Sequence, residues 1–592
     1  MTSRTFKLRL RRQYRLGKQQ VENIGLQAEK HIDRNIISRL ERLLHVWRFV
    51  LTWLLLLGLV AGCVIVQTEA LSRYYQTIEG VPGGTYTEGI LGDFTTANPL
   101  YATTTVDNTL SRLVFSGLLT YNAQNQLVGN LAQSWSVDTT GKIYTVQLKP
   151  NLTWQDGQPL TAADVAFTYK TIQNPDAQSA LNASWQNVTV AAVNPLTVTF
   201  MLTNPLSSFP YSLTNGIVPA HILANLPATE LRSASFNIDP IGSGPFSWKS
   251  LQVAGGTPDT RQEQITLTPF AGYSGGQPKL AEFVVRAFHD QNELIAHFKD
   301  GSLTAAAGLD SLPPQLVNDK SVHSYNLPLT AANMVFFKTS SGVLSDLNVR
   351  QSLIQAADVN QIITGLGYPV IPVREPLLTG QVGYNPAYQQ LSYNPLAAEQ
   401  LLDKAGWLVG KGGIRYKANQ PLTFKLFAPD NQDNRYVTTL LQKQWAAIGV
   451  DVQVVLQSPI DLQTTTAYHS YDALLYGISI GVDPDVFVYW DSSQASPQAQ
   501  TRLNFSEYKS TIADGALEAG RTRSNLALRV IKYVPFLQTW QQDAPALGLY
   551  QPRFLYITNT PVYGLGDQVI NQATDRFNNV QNWEIRLGKV TD

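Results

Sequence analysis

The stretch YDALLYGISIGVDPDVF, residues 471–487, contains Gly477-Ile478-Ser479-Ile480-Gly481, a literal G-x-S-x-G after an apolar, strand-like run. In hydrolases that pattern sets a nucleophilic serine on a tight turn between strand and helix, and a histidine base follows later in the chain. The seven histidines are His31, His45, His221, His289, His297, His323 and His469, and all of them precede Ser479. The order serine, acid, histidine is therefore impossible here, and nothing suggests a triad of another order. The sequence predicts no nucleophile at Ser479 and no enzyme. A second pattern, His289-x3-Glu293-x3-His297, would put three metal-capable groups on one helical face. Leu294, Ile295 and Phe298 between them read as the buried side of an amphipathic helix instead, so neither a metal nor another cofactor is expected. The single cysteine, Cys63, excludes an intramolecular disulfide and a zinc site built on cysteine pairs.

The elements that must position any binding group come in three parts. Residues 49–66, FVLTWLLLLGLVAGCVIV, run 18 residues without a charge; at ~1.5 Å per residue they span ~27 Å, close to a bilayer core of ~30 Å. Residues 1–48 before them carry 12 Lys/Arg and 4 Asp/Glu, a balance of +8, and the remaining residues balance at −8. The basic flank predicts that residues 1–48 stay in the cytoplasm and that everything after about 67 lies outside. Val60-Ala61-Gly62-Cys63 resembles a bacterial lipobox, which would make the protein a lipoprotein at Cys63. The segment before it is long for a signal peptide, and the apolar run continues past the cysteine, so an uncleaved anchor is the expectation. Residues 1–45 read as a solvated, partly helical tail. A mildly acidic body without a basic stripe argues against a nucleic-acid partner.

After a stalk over 67–83, strand and helix patterns interleave. YTVQLKP (144–150) and LTVTFML (196–202) alternate as half-buried strands. Thr161 and Asp164 resemble a capping box. DLNVRQSLIQAADVNQIITGL (346–366) predicts a helix with Val349, Leu353, Ala356 and Ala357 on one face. Asn394-Pro395 marks the start of another, and TTLLQKQWAAIGVDVQVVLQ (438–457) a helix ending at Gly449 followed by a strand. A body of some 500 residues is too long for one core, so two or three lobes are expected.

Several of these segments, in this order, resemble the extracytoplasmic solute-binding proteins of family 5, the oligopeptide, dipeptide and nickel binding components of ABC importers. LAQSWSVDTTGKIYTVQLKPNLTWQDGQPLTAADVAFTY, PIGSGPF (240–246), LNVRQSLIQAADVNQI, NPLAAEQLLDKAGW and LLQKQWAAIGVDVQV carry the likeness. It implies an α/β fold of the type II periplasmic-binding-protein kind: bilobal, with an extra domain, hinge closure over a central cleft, and here one transmembrane helix in front. Lobe I would take approximately 84–117, 216–328 and 545–592, the extra lobe 118–215 and lobe III 329–544. The function implied is capture of a peptide or peptide-like solute and its delivery to ABC permease and ATPase subunits. An envelope sensor or scaffold on the same fold is the alternative.

The resemblance also implies a ligand-contacting set. Relatives carry Gly-Trp, then an Asp that pairs with the ligand's α-ammonium, then Asp-Pro or Glu-Pro. Here Ile478 stands in place of the tryptophan, Gly481 nearest the amine-binding acid, and Asp483 on the Asp-Pro carboxylate. Either Asp483 takes over the amine, or it caps the turn and the ligand lacks a free ammonium there; Tyr476 and Ser479 could then supply hydrogen bonds. Gly89, Ile90 and Leu91, at the end of the first strand of the likeness, are expected to line the cleft. Trp135 and Trp154 are expected in the core.

Overall fold

The computed structural model describes residues 47–74, 76–255, 261–499, 501–566 and 568–591, with the isolated residues 17, 25 and 30. The chain divides into two units, 1–79 with 587–592, and 80–586. In the first, helix α1 (Trp47–Tyr74) contains a 22-residue stretch, Trp47–Thr68, of mean hydropathy 2.7 whose side chains are exposed. The expected span 49–66 lies inside it. The stalk expected over 67–83 is helical as far as Tyr74 and strand over Gln76–Val81. The basic segment before α1 lies outside the described residues, three isolated positions apart.

The second unit is the body. In chain order it runs β1 (Thr85–Leu91), α2 (Thr105–Val114), β2 (Ala132–Val137), β3 (Ile143–Leu148), α3 (Ala162–Gln173), β4 (Val188–Asn194) and β5 (Thr197–Leu202). It continues with β6 (Phe246–Ala254), β7 (Gln262–Pro269), β8 (Glu282–Phe288), α4 (Gln291–Lys299), β9 (Ala305–Ala307) and β10 (His323–Pro328). The next part holds β11 (Ala331–Phe337), α5 (Leu347–Ala356), α6 (Val359–Gly365), α7 (Pro395–Lys404), β12 (Thr423–Pro429), α8 (Gln432–Ala447) and β13 (Asp451–Gln457). Last come β14 (Ala473–Ser479), α9 (Thr511–Arg521), α10 (Leu526–Asp543), β15 (Ala546–Tyr550) and β16 (Arg553–Thr558).

These strands make three larger sheets. The first lobe is a seven-stranded sheet in the order β10-β16-β9-β1-β8-β7-β6, with β1 parallel to both of its neighbours. The extra lobe is β2-β3-β5-β4 covered by α3. Its capping box forms as expected: Thr161 N–H donates to Asp164 and Ala163 N–H to Thr161 Oγ1. Trp154 is fully buried there, and Trp135 half-buried. The other large lobe is β13-β12-β14-β11-β15, with α5, α7 and α8 against one face and α9 and α10 against the other. The helix expected over 346–366 is two, because Ala357 leaves helical geometry and Asp358 caps α6 through Gln361 N–H.

The two large lobes are joined twice. β10 passes into β11 through Leu329-Thr330, and β15 returns to β16 through Gln551-Pro552, so the return crossing lies a few residues beyond the expected 545. The crossings hold each other: Leu329 N–H donates to Pro552 O at 2.8 Å, and Gln551 Nε2 to Leu329 O at 3.1 Å. Two crossings bonded side by side restrict relative movement of the lobes to bending about one line.

Candidate functional site

β14 explains why a cavity forms beside that line. Along one edge it pairs with β11 from Ala473 to Ser479. Along the other it pairs with β12 only at Ala473 and Leu474. β12 stays with β13 as far as Pro429 and leaves the edge of Tyr476 and Gly477 open. A cavity of about 330 Å³ occupies the gap, walled by Tyr476, Gly477 and the start of α8 on one lobe and by Gly308, Leu309 and Asp310 on the other.

The lining is polar and largely uncharged. Asn333 reaches in beside Gly477, where a Cβ would lie 2.8 Å from its Oδ1. Tyr550 is 1% exposed, and its hydroxyl lies near Asn333 without a well-formed hydrogen bond. Burial pushes that phenol up to about 12. Asn431 caps α8 through Asn434 N–H. The Arg553 guanidinium lies 3.3 Å from the centre of the Tyr368 ring, whose hydroxyl donates to Asp433. Burial holds Arg553 below the usual guanidinium range, against the pull of Tyr368 and Asp433.

The loop after β14 is pinned to the first crossing. Ile480 and Gly481 N–H donate to Thr330 O at 3.0 and 2.9 Å, and Gln381 Nε2 donates to Gly481 O at 2.7 Å. This geometry needs φ +79° at Gly481, which a residue without a side chain adopts at little cost. Two residues on, Asp483 takes Arg529 in a bidentate pair, 2.7 Å at each oxygen, with both side chains buried. Burial works against the charged guanidinium, but Asp483 outweighs it and raises the Arg529 pKa. Asp485 pairs with Arg521 at 3.1 Å and accepts from Ser208 Oγ, while Ser207 donates to Arg521 O, tying the extra lobe to the loop. Tyr144 and Tyr211 of the extra lobe are raised by burial and by the Asp483 charge, Tyr144 to about 12.

The expected residues therefore divide. Tyr476 lines the cavity. Leu91 lies behind its wall, 3.5 Å from where a Cβ on Gly308 would be. Gly89 and Ile90 are placed instead inside the sheet: β1 is paired on both edges, Ile90 is fully buried, and a Cβ on Gly89 would meet Leu303 at 2.6 Å. Ile478 is likewise given to the core, with Ala332, Met334 and Phe336. Asp483 is neither free for an ammonium nor a simple turn cap, because Arg529 occupies it. Ser479 is exposed, its carbonyl accepting from Tyr489 Oη at 2.7 Å. His469, nearest to it in sequence, is buried against Glu507 and the Arg502 carbonyl. His289 falls outside α4 and pairs with Asp93, so the three-residue face read from spacing does not form.

Asn333, Tyr368, Tyr550, Arg553 and Arg529 were not singled out from sequence. Arg529 left one trace, a lone arginine inside LALRVIKYV at a position that a helix would bury.

The family model of bacterial extracellular solute-binding proteins, family 5 Middle, matches residues 126–499. The oligopeptide-binding protein AppA of Bacillus subtilis is 26% identical over 486 residues, 79% of this chain and 86% of that one. NikZ from Campylobacter jejuni, solved in complex with Ni(L-His), superposes with a TM-score of 0.69 at 26% identity, covering 84% of this chain and 99% of NikZ. AppA from Bacillus subtilis, solved with a nonapeptide, gives 0.66 at 23% identity, covering 86% and 100%. The body has the type II periplasmic-binding-protein fold of these structures.

Proposed function

This chain belongs to the bacterial extracellular solute-binding proteins of family 5, and from that premise we propose that it captures a peptide-like solute outside the membrane for an ABC permease and ATPase. The observation that carries this reading is the open edge of β14 at Tyr476 and Gly477, facing a cavity between two lobes that can bend about one line. An extended peptide can add to such an edge, its main chain supplying the hydrogen bonds and its side chains meeting the cavity walls. Tyr476 is the proposed contact from the expected set; Asn333, Tyr368, Tyr550 and Arg553 join it. Members of the family are solute-binding proteins rather than enzymes.

With Asp483 neutralised by Arg529, the loop offers no carboxylate to a ligand ammonium, which favours a ligand whose amino end is blocked or lies elsewhere. α1 is proposed as a single-pass anchor that leaves the body on the outer face. The long segment before Cys63 and the apolar run that continues past it favour an uncleaved anchor over a lipoprotein.

Native mass spectrometry of the full chain, released from membranes in mild detergent, tests the reading. The expected result is a bound peptide-sized mass, exchangeable for a synthetic peptide whether its amino end is free or acetylated. A chain that neither carries such a mass nor takes one from a random peptide pool would overturn it.

A further inference from the structure

The first turns of α10 are apolar outside as well as inside, where Arg529 is the one charged residue. The inward face carries Arg529, Tyr533, Phe536, Leu537 and Trp540. The outward face carries Leu528, Val530 and Ile531, which are 47, 43 and 63% exposed. At 100° per residue, these three, with Ala527 and Pro535, fill one contiguous arc of about 160°. A helix on a water-facing surface ordinarily turns charged and polar residues to solvent, and contiguous exposed apolar patches are a mark of contact surfaces.

The rim of the patch is cationic. Arg523, in the turn before α10, and Lys532, nearly two turns into it, are both exposed, and neither makes an ion pair among the described residues. The acids nearby are mostly spent: Asp483 on Arg529 and Asp485 on Arg521, leaving Glu518 on α9. Aliphatic side chains ringed by lysine and arginine are the chemistry of an anionic phospholipid surface: the chains enter the headgroup boundary and the cations meet phosphates. A protein partner would be expected to find neutral polar groups that fix its register, and the exposed residues of 526–535 include none.

We infer that the first three turns of α10 dock on an anionic phospholipid surface. The inference rests on the proposed anchor. Ten residues lie between Tyr74 and Thr85, so the chain from one to the other reaches ~40 Å at most. The body is then confined near the bilayer, and a patch too weak to bind from free solution becomes effective through that confinement.

The test uses the full chain with Cys63→Ser and one nitroxide-labelled cysteine, Leu528→Cys or Ile531→Cys. It is reconstituted in nanodiscs of phosphatidylcholine with or without phosphatidylglycerol. With phosphatidylglycerol, both labels are expected to gain collisions with oxygen and lose those with a water-soluble nickel chelate, about threefold or more relative to detergent. A label at Ile460→Cys, exposed on a different helix, should not change. Arg523→Glu with Lys532→Glu should abolish the shift. Labels equally wet in every disc would overturn the inference. So would labels already shielded in detergent, which would mean self-association, or an unchanged shift in the charge-reversed variant. A chain that failed to co-elute with the discs would count against the anchor, whereas a co-eluting chain with wet labels counts against the patch alone.

Discussion

Asp483 and Arg529 lie 46 residues apart and meet in a two-pronged pair, each carboxylate oxygen 2.7 Å from a guanidinium nitrogen. Both side chains are less than a tenth exposed. Removing one partner leaves the other charge buried without compensation. Asp483→Asn is therefore expected to lower the unfolding free energy by about 3–5 kcal/mol in a denaturant titration. The double variant Asp483→Asn with Arg529→Met removes both charges and should recover most of that loss. A double variant as unstable as the single one would show that the pair is not what holds the loop.

Gly481 turns the loop back onto Thr330, and no atom lies within 4 Å of a Cβ built on it. Gly481→Ala therefore costs only the left-handed backbone, about 1–2 kcal/mol, with no clash added. The expected readout is a modest fall in thermal stability together with faster hydrogen exchange at Ile480 and Gly481. An unchanged exchange rate would mean that the alanine chain keeps the turn without strain.

Much of this architecture was legible beforehand, and the reasons differ by element. The Thr161–Asp164 box, the Asn394-Pro395 start and the stop near Gly449 are local signals, and all appear in the structure. The break at Ala357-Asp358 is hidden from the pattern, because the apolar spacing runs through it and only the cap at Asp358 divides it. The site was harder. Its open strand edge depends on how far β12 accompanies β14, a question of sheet register that spacing does not encode. Ile90 and Ile478 were expected at the cleft, but both occupy strand positions that face a core. Arg529 could not be matched to Asp483 because nothing in sequence relates two residues that far apart.

Glu375 is fully buried. One carboxylate oxygen accepts from Asn385 N–H at 3.0 Å, and the other has no partner among the described residues. Burial pushes its pKa up to about 8 from the ordinary 4.5. Between those values the folded chain keeps a proton that the unfolded chain has released, so stability falls as the pH rises through that window. Glu375→Gln should remove the dependence. Its stability relative to the native chain should rise by about 2–4 kcal/mol between pH 5 and pH 9. Parallel melting curves for the two proteins across that range would refute the assignment.

The proposed solute is held between two walls, the open edge of β14 at Tyr476 and Gly477 and the facing turn at Gly308, Leu309 and Asp310. Hydrogen exchange on the full chain, with and without a peptide identified by native mass spectrometry, tests it most directly. Slowed exchange is expected over 476–477 and over 308–310 together, at the same ligand concentration. Protection confined to one of these walls, or to neither while the ligand remains bound elsewhere, would contradict it.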